Sequence, residues 1–395
     1  MTQDTQRAVT LSVEEFIRQA MHRCREASFS FALWKLPNSS AIQFAASGQP
    51  VGTHDINLED TLPGFLFAPF DPGQKKIFLP ADEFFRYESG QFQVLKGNLL
   101  ETIPTNLPSP TGKKIPTSYY VRTEAPGSSA DETAYRNLVI QCRDLVADSD
   151  VEKIVPSRFK WVQLAKDFEI TETFLALGKR YPSALVSVFS SPDTGTWMGA
   201  TPEMLVKVDA QQHFHTAAVA GTQQFVAGTD IRTITWTQKE IEEQALVERY
   251  VISCFKKIRL REFEERGPKT VVAGNVVHLK TEFEVDMTAT HYPQLGSVML
   301  QLLHPTSAVC GMPLDPALAF LKKHEGYNRQ FYSGYLGPVH ISQESQLFVN
   351  LRCMQLFEET AMVYAGAGVL ADSDPEKEWE ETELKMNTLL EVIRQ

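Results

Sequence analysis

Residues 365–385 read AGAGVLADSDPEKEWEETELK and contain a predicted strand end, a glycine turn and a helix start. The apolar run 361–365 is typical of a β-strand, and the pair Gly366 and Gly368 closes it. Glycine has no side chain to shield the backbone, so N–H groups in such a turn can approach an anionic ligand. The pattern therefore predicts a strand, an anion-accessible turn and a helix over 376–393.

The predicted helix carries three charged side chains on one face. Ser373 or Asp374 is expected to cap its N-terminus. Glu378, Glu381 and Lys385 follow at i, i+3 and i+7 and therefore project from the same side. Two carboxylates and an ammonium beside a glycine turn could hold a hard cation and a bound carboxylate together. A solvated acidic face that suits the helix N-terminus explains the same charges, so this stretch alone leaves both interpretations open.

Composition excludes several classes of function. The chain has 395 residues, 43% of them hydrophobic, and a formal net charge of -11, which argues against nucleic acid or an acidic membrane as partner. No N-terminal signal and no apolar run of membrane-spanning length occurs, so a soluble cytoplasmic protein is predicted. The cysteines are odd in number, scattered and without a CxxC pair, which favours neither a disulfide framework nor a zinc site. They are Cys24, Cys142, Cys254, Cys310 and Cys353.

The order of predicted elements favours an α+β fold. Short β-type runs fill 28–94, and a segment rich in Pro, Ser, Thr and Gly over 102–128 indicates a boundary between regions 1–128 and 129–395. Predicted helices cover 11–24, 129–146, 171–181, 237–263, 292–303, 315–324 and 376–393. Predicted strands after residue 150 cover 151–155, 184–190, 196–200, 213–220, 276–283, 334–341, 347–356 and 361–365. Because βαβ alternation is missing, a doubly wound sheet is not expected.

Three titratable residues are candidates for acid, base or metal chemistry. Lys153, in EKIVPSR, is flanked by apolar residues and could act as a general base once desolvated. Glu203 ends the tight turn GATPE, and Glu243 lies at the polar edge of a predicted helix. An edge-strand lysine, a solvated loop carboxylate and a helix-surface carboxylate are the ordinary alternatives for each motif taken alone.

Five polar residues in or beside apolar segments add recognition groups. Arg329 and Arg352 offer bidentate binding of a carboxylate, and Tyr332 offers a directional hydroxyl. His278 and His304 lack metal-ligand spacing and are interpreted as hydrogen-bonding groups. Together with the carboxylates and the lysine, this set favours metal-assisted chemistry on a small carboxylic acid.

A series of motifs in fixed order resembles the chorismate-utilising enzymes, a family that includes isochorismate, salicylate, anthranilate and aminodeoxychorismate synthases. The resemblance covers about 129–395 and is loose over 1–100. It implies a two-lobed α+β body of mostly antiparallel sheets flanked by helices, with a deep cleft. Residues 1–128 would complete this body, and 129–395 would form the chorismate-binding catalytic domain. The motifs are KIVPSR, GATPE, AVAGT, KEIEEQALV, VVHL, HPTSAVCG, EGYNRQFYSGYLG, LRC and AGAGV with EWEETELK.

The resemblance implies a role for each candidate residue. Glu243, Glu378 and Glu381 match the positions that bind Mg²⁺, and Lys385 matches a lysine that balances charge at the metal. Mg²⁺ suits such positions because it prefers oxygen ligands and keeps several waters. The residues that match substrate-binding positions are Gly221, Thr222, His278, Ala308, Tyr332, Arg352, Gly366 and Gly368.

Three positions separate the members of the family. Lys153 stands where water-using members place a general base, whereas anthranilate synthases typically carry Gln. Ala220 stands where aminodeoxychorismate synthases carry a nucleophilic Lys, and Ala308 where salicylate synthases typically carry Thr. The resemblance therefore implies an isochorismate synthase in which Lys153 activates water and Glu203 protonates the leaving hydroxyl. Its PSR segment, in contrast, is closer to the anthranilate branch.

Two other functions remain as alternatives to hydroxyl transfer. A salicylate synthase would go on to eliminate pyruvate in the same cleft. A non-catalytic chorismate-binding subunit would bind without turnover. The predicted partner in each case is chorismate, with Mg²⁺ as cofactor, no nucleic acid or membrane, and a monomeric state typical of the family.

Overall fold

Two nine-stranded sheets dominate the computed structural model, which describes residues 12–99, 118–122, 131–226, 228–273 and 276–393. Every strand pair in them is antiparallel. Helices pack on both sheets, so the predicted α+β class with mostly antiparallel sheets is confirmed. Most of the predicted boundary segment 102–128 lies outside the described residues.

Helices and strands are numbered here in chain order. The helices are α1 Val13–Glu26, α2 Glu132–Asp148, α3 Ile170–Arg180, α4 Gln238–Lys257, α5 Leu295–Leu303, α6 Leu314–His324 and α7 Pro375–Ile393. The first sheet contains, in spatial order, β7 Gln91–Lys96, β6 Glu83–Glu88, β2 Ile42–Ser47, β1 Ser30–Lys35, β10 Leu185–Ser191, β11 Gly195–Thr201, β19 Cys353–Leu356, β20 Thr360–Gly366 and β9 Ser157–Gln163. The second sheet contains β14 Glu264–Ala273, β15 Val276–Asp286, β13 His213–Gln224, β12 Met204–Val208, β18 Ser345–Val349, β17 Tyr335–Val339, β4 Gly64–Ala68, β5 Lys76–Pro80 and β3 Val51–Thr53. A separate pair joins β16 Gly311–Met312 to β8 Lys153–Ile154.

Alternating side chains make the two sheets pack face to face. Along β1, Phe31 and Leu33 point toward helices α1 and α3, whereas Ala32 and Trp34 point the other way. Trp34 packs against Phe65 of the second sheet, with ring centroids 5.1 Å apart. One apolar cluster therefore lies between the sheets, and two others lie between each sheet and its helices. The layers run helix, sheet, sheet, helix.

The N-terminal strands belong to both sheets. Strands β1, β2, β6 and β7 extend the first sheet beside β10, and β3, β4 and β5 extend the second sheet beside β17. Residues 30–96 therefore pair directly with strands from the middle and the end of the chain.

Several elements differ from the sequence-based expectations. The strand predicted over 347–356 is two strands, β18 and β19, which belong to different sheets and are separated by the left-handed residue Arg352. Strands β9 and β12 were not among the predicted strands. The helix predicted over 237–263 ends at Lys257, and strand β14 follows it. Its sequence, EERGPKTVVA, lacks a run of alternating apolar residues and contains Gly and Pro, so it gave no strand signal. Pairing with β15 stabilises it instead, along most of its length.

Helix α7 is anchored to the first sheet by a buried arginine. Arg158 of β9 is 2% exposed, and its guanidinium lies 3.5 Å from the ring centre of Trp379. Its Nε donates to Thr382 Oγ1 at 2.8 Å, and Nη2 donates to Glu383. These contacts hold the face that carries Glu378 and Glu381 against the sheet.

Replacing this anchor should weaken the whole fold. We expect Arg158→Met to lower the free energy of unfolding by about 2–3 kcal/mol, because hydrogen bonds to a charged group are lost while the apolar stem remains. Urea denaturation measures this change. The control is Arg143→Met. Among the described residues Arg143 bonds the exposed Asp144 alone, so its loss should change stability by less than about 0.5 kcal/mol. Equal effects of the two variants would contradict the anchoring role.

Candidate active site

A cavity of about 570 Å³ opens where the two sheets, β8 and the N-terminal part of α4 meet. It brings together nearly all the residues that the sequence singled out, from segments up to 232 positions apart. The predicted residues that line it are Lys153, Glu203, Gly221, Thr222, Glu243, His278, Ala308, Tyr332, Arg352, Gly366, Gly368, Glu381 and Lys385. Glu378 is 2% exposed and is not one of the residues that line it.

Lys153 lies in the wall of the cavity on the short strand β8. Its backbone pairs with Met312, and the neighbouring Ile154 exchanges hydrogen bonds with Val369 just after the glycine turn. The side chain is almost fully buried, as the apolar flanks predict. Its Nζ donates to Glu243 Oε1 at 2.6 Å. The backbone pairing and the ion pair therefore fix the position of the Lys153 side chain beside Glu243.

Glu203 occupies the turn between β11 and β12. Its backbone N–H donates to Thr201 Oγ1 at 3.4 Å, and its carbonyl accepts from Val349 N at 2.9 Å. Burial raises the pKa of Glu203 to about 7, against the opposing positive charges of Arg352, Lys153 and Lys385. A carboxyl group with such a pKa holds a proton near neutral pH and can donate it.

The three predicted metal ligands each contact a lysine. Burial opposes ionisation of Glu243, but the ammonium of Lys153 outweighs it and lowers the pKa of Glu243. Burial, followed by the negative charge of Glu381, raises the pKa of Glu378. The pairs are Lys153 with Glu243 at 2.6 Å, Lys239 with Glu378 at 3.2 Å, and Lys385 with Glu381 at 2.6 Å.

This donor set fits a hard divalent cation in its chemistry. Carboxylate oxygens are the ligands that Mg²⁺ prefers, and the mutual repulsion of Glu378 and Glu381 would be relieved by a cation between them. The oxygens of Glu243, Glu378 and Glu381 do not all lie within 4.8 Å of one another. Such spacing is compatible with a cation that keeps several waters.

The glycine turn and the residues around it are suited to an anion. Arg352 lies in the left-handed region at φ 48°, which is uncommon for a residue with a side chain. Gly199 allows this conformation, since a Cβ there would lie 2.9 Å from the Arg352 carbonyl. Lys385 Nζ donates to the Gly366 carbonyl at 2.8 Å. A Cβ at Gly366 would also lie 3.2 Å from Tyr332 Oη, so the bare turn leaves room for the phenol.

His278 is held as a neutral hydrogen-bonding group. Its Nδ1 lies 2.8 Å from the Gly221 carbonyl and 3.3 Å from Thr222 Oγ1. Burial lowers the pKa of His278 to about 4, and the charges of Arg352 and Lys385 act in the same direction. Because the carbonyl can only accept, we assign the proton to Nδ1, which leaves Nε2 as an acceptor toward the cavity.

Sequence reasoning missed two lysines that line the cavity. Lys239 lies one helical turn before Glu243 on α4, and this i, i+4 spacing was the available signal. Lys280 lies on β15, two residues after His278, and strand alternation puts both on the same face. Together with Arg352 and Lys385 they add positive charge to the cavity of a chain whose net charge is -11.

Two predicted polar residues do not line the cavity. His304 Nε2 donates to the Pro69 carbonyl at 3.0 Å, and burial lowers the pKa of His304 to about 4. Arg329 is buried against Glu325. All five cysteines are buried and unpaired. Within the described ranges no helix is long and apolar enough to span a membrane.

A buried lysine, a carboxyl whose pKa is raised to about 7, further carboxylates and a glycine turn all line one cavity, and this set of groups is suited to chemistry on a small carboxylic acid. The sequence matches the profile of the chorismate binding enzyme family over residues 98–394, and the chain belongs to this family.

Curated relatives and solved structures agree with this assignment. Isochorismate synthase EntC of Escherichia coli is 25% identical over 270 residues, 67% of this chain and 68% of the relative. Isochorismate synthase DhbC of Bacillus subtilis is 27% identical over 270 residues, 66% of this chain and 67% of the relative. In fold, the chain resembles the menaquinone-specific isochorismate synthase MenF of Escherichia coli, with a TM-score of 0.74, 19% identity and coverage of 97% and 92% of the two chains.

The raised pKa of Glu203 predicts a pH-dependent stability. In the native state the Glu203 carboxyl binds its proton more tightly than in the unfolded chain. The free energy of unfolding therefore falls as the pH rises from about 4.5 to about 7. The loss of stability is complete above pH 7 and absent below about pH 4.5. We expect Glu203→Gln to be about 1–3 kcal/mol more stable than wild type at pH 8 and nearly equal to it at pH 4.5. Urea denaturation at both pH values measures the difference, with exposed Glu262→Gln as control. A difference that does not change with pH would contradict the assignment.

Proposed function

We propose that this protein is an isochorismate synthase that converts chorismate to isochorismate with Mg²⁺ as cofactor. The observation that carries the proposal is the pairing of two proton-transfer groups in one cavity. Lys153 presents a buried amine, and Glu203 has a pKa of about 7. The curated relatives named above are isochorismate synthases, which supports the same reaction for this chain.

The reaction exchanges one hydroxyl for another across the ring. Lys153 Nζ takes a proton from a water whose oxygen forms a bond to C2 of chorismate. The ring double bonds shift, the bond from C4 to its hydroxyl breaks, and Glu203 donates a proton so that water leaves. One water enters and one leaves, so the substrate and product are isomers. Each proton-transfer group is worth about 10²–10⁴ in rate.

Binding groups divide the substrate between two sides of the cavity. Arg352, Tyr332 and the backbone around Gly366 and Gly368 would hold the enolpyruvyl carboxylate, and Gly221 with Thr222 would face the ring carboxylate. Glu243, Glu378 and Glu381 would hold Mg²⁺. When bound, the cation would supply positive charge to the ring carboxylate. His278 Nε2 is available to accept a hydrogen bond from the substrate.

Two small residues disfavour related reactions. Ala220 is 8% exposed and offers no nucleophile where aminodeoxychorismate synthases carry Lys. Ala308 lines the cavity where salicylate synthases typically carry Thr. Neither residue can form a covalent intermediate or donate a hydrogen bond, so water remains the incoming group.

The reaction itself is tested first with the wild-type protein. Incubation of chorismate with protein and Mg²⁺, followed by HPLC, should show isochorismate approaching an equilibrium mixture, and EDTA should stop its formation.

Removal of either proton-transfer group should nearly abolish the activity. We expect Lys153→Ala and Glu203→Gln each to lower kcat by about 10²–10⁴. Lys166→Ala, at an exposed loop position, is the control and should behave as wild type. Release of pyruvate with salicylate would instead favour the lyase reaction, and binding without turnover would favour a non-catalytic subunit.

The acid role of Glu203 also predicts the alkaline limb of the pH profile. Because Glu203 must be protonated to donate, kcat/KM should fall about tenfold per pH unit above pH 7, where the pKa of about 7 leaves it ionised. Initial rates of isochorismate formation from pH 5.5 to 9 measure this limb. A kcat/KM that stays constant between pH 7 and 9 would exclude Glu203 as the acid.

A further inference from the structure

An ion pair between Glu325 and Arg329 is buried next to the cavity but is not part of its lining. The two side chains are 3% and 2% exposed. Arg329 Nε donates to Glu325 Oε2 at 2.7 Å, and Nη2 donates to Oε1 at 2.6 Å, so the contact is bidentate. Both residues lie just after α6, in the segment that leads to Tyr332.

The guanidinium also binds two backbone carbonyls, one from each of two neighbouring segments that line the cavity and are already paired through β8 and β16. Nη2 donates to the Val155 carbonyl at 2.7 Å, and Nη1 donates to the Val309 carbonyl at 2.7 Å. Val155 lies two residues after Lys153, and Val309 directly follows Ala308. Both valines line the cavity. The Arg329 side chain therefore adds to the backbone pairing between the segment that carries Lys153 and the segment that carries Ala308.

Glu325 binds the same stretch of chain two residues further on, at Ser157, where β9 begins. Its Oε1 accepts from Ser157 N at 2.7 Å and from Ser157 Oγ at 2.8 Å. The backbone N–H of Tyr332 donates to the Arg329 carbonyl at 2.9 Å. The pair thus contacts the chain on both sides of Pro156 and positions the loop that presents the phenol.

Stability alone does not account for this arrangement. Removing two charges from water is costly, and apolar residues of similar volume often stabilise a fold as well or better. Arg329 instead fixes the relative positions of its partners, since its planar guanidinium binds a carboxylate and two backbone carbonyls at once. A lysine at the same position has only three N–H donors on one nitrogen at the end of a flexible stem, fewer than the four hydrogen bonds that Arg329 makes.

We propose that Arg329, held by Glu325, is a positioning residue that, together with the β8–β16 pairing, keeps Lys153 at a set distance from Ala308. This inference rests on the proposed isochorismate synthase activity. The fixed distance places water between Lys153 and C2, and displacements of about 1 Å in such geometry cost about 10² in rate. A looser wall would also let bound isochorismate lose its side chain. In that step the C2 proton moves to the enolpyruvyl methylene, the C–O bond breaks, and pyruvate and salicylate form.

The test compares Arg329→Lys with wild type for kcat, KM and the ratio of pyruvate to isochorismate. We expect kcat to fall 10- to 100-fold while KM for chorismate changes less than threefold, because the groups that bind the substrate are retained. We expect the pyruvate ratio to rise. Lactate dehydrogenase measures pyruvate, and HPLC measures isochorismate. Ser157→Ala, which removes one hydrogen bond to Glu325, should shift both quantities in the same direction by a smaller factor and serves if the lysine variant does not fold.

Leu177→Ala controls for general destabilisation. Leu177 is fully buried on α3, in the apolar cluster on the far face of the first sheet. It should lower Tm while leaving kcat and the pyruvate ratio of the folded enzyme unchanged. If Arg329→Lys and Ser157→Ala lower Tm but leave kcat and the ratio as in wild type, the positioning role is wrong and the pair is only structural. Absence of isochorismate from the wild-type reaction would contradict the proposed function itself, which is a distinct result.

Discussion

The contact between Lys153 and Glu243 is the interaction on which the cavity depends. It joins β8 to α4 across 90 positions of the chain, at a place where either charge alone would be costly to bury. Gly368 lies against the pair, and a Cβ there would be 2.8 Å from Lys153 Cε. The glycine turn, the lysine and the helix therefore require one another. A change in any of the three would displace the other two.

The carboxyl groups of the cavity are separated chemically by their partners. Glu243 has an ammonium at 2.6 Å and a lowered pKa. Glu203 lies near three positive charges, but among the described residues its side chain forms no ion pair with any of them. The effect of burial is therefore larger than the effect of these charges, and the pKa of Glu203 rises. Glu243 is thereby favoured as an anion and Glu203 as a proton donor, although both are glutamates that line the same cavity.

Local patterns predicted much of this molecule, because strand, turn and helix signals act over a few residues. The strand, turn and helix of 365–385 follow their sequence closely, with β20 ending at Gly366 and α7 beginning at Pro375. Strand β14 escaped prediction because its pairing with β15, and not its own composition, makes it a strand. Hydrophobic periodicity indicates which face of an element is buried, but not what lies opposite. The lysine partners of Glu243 and Glu378, and the burial of Arg329, depend on such distant contacts.

The interleaving of N-terminal and later strands has a consequence for synthesis of the protein on the ribosome. Strand β1 pairs with β10 about 150 residues later, and β4 pairs with β17 about 270 residues later. Neither sheet can close until most of the chain has emerged. Contacts of such long range form slowly, and the early strands wait with unpaired edges and exposed apolar faces. During synthesis the hydrophobic faces of the early strands are therefore expected to stay accessible until the later strands are available to cover them.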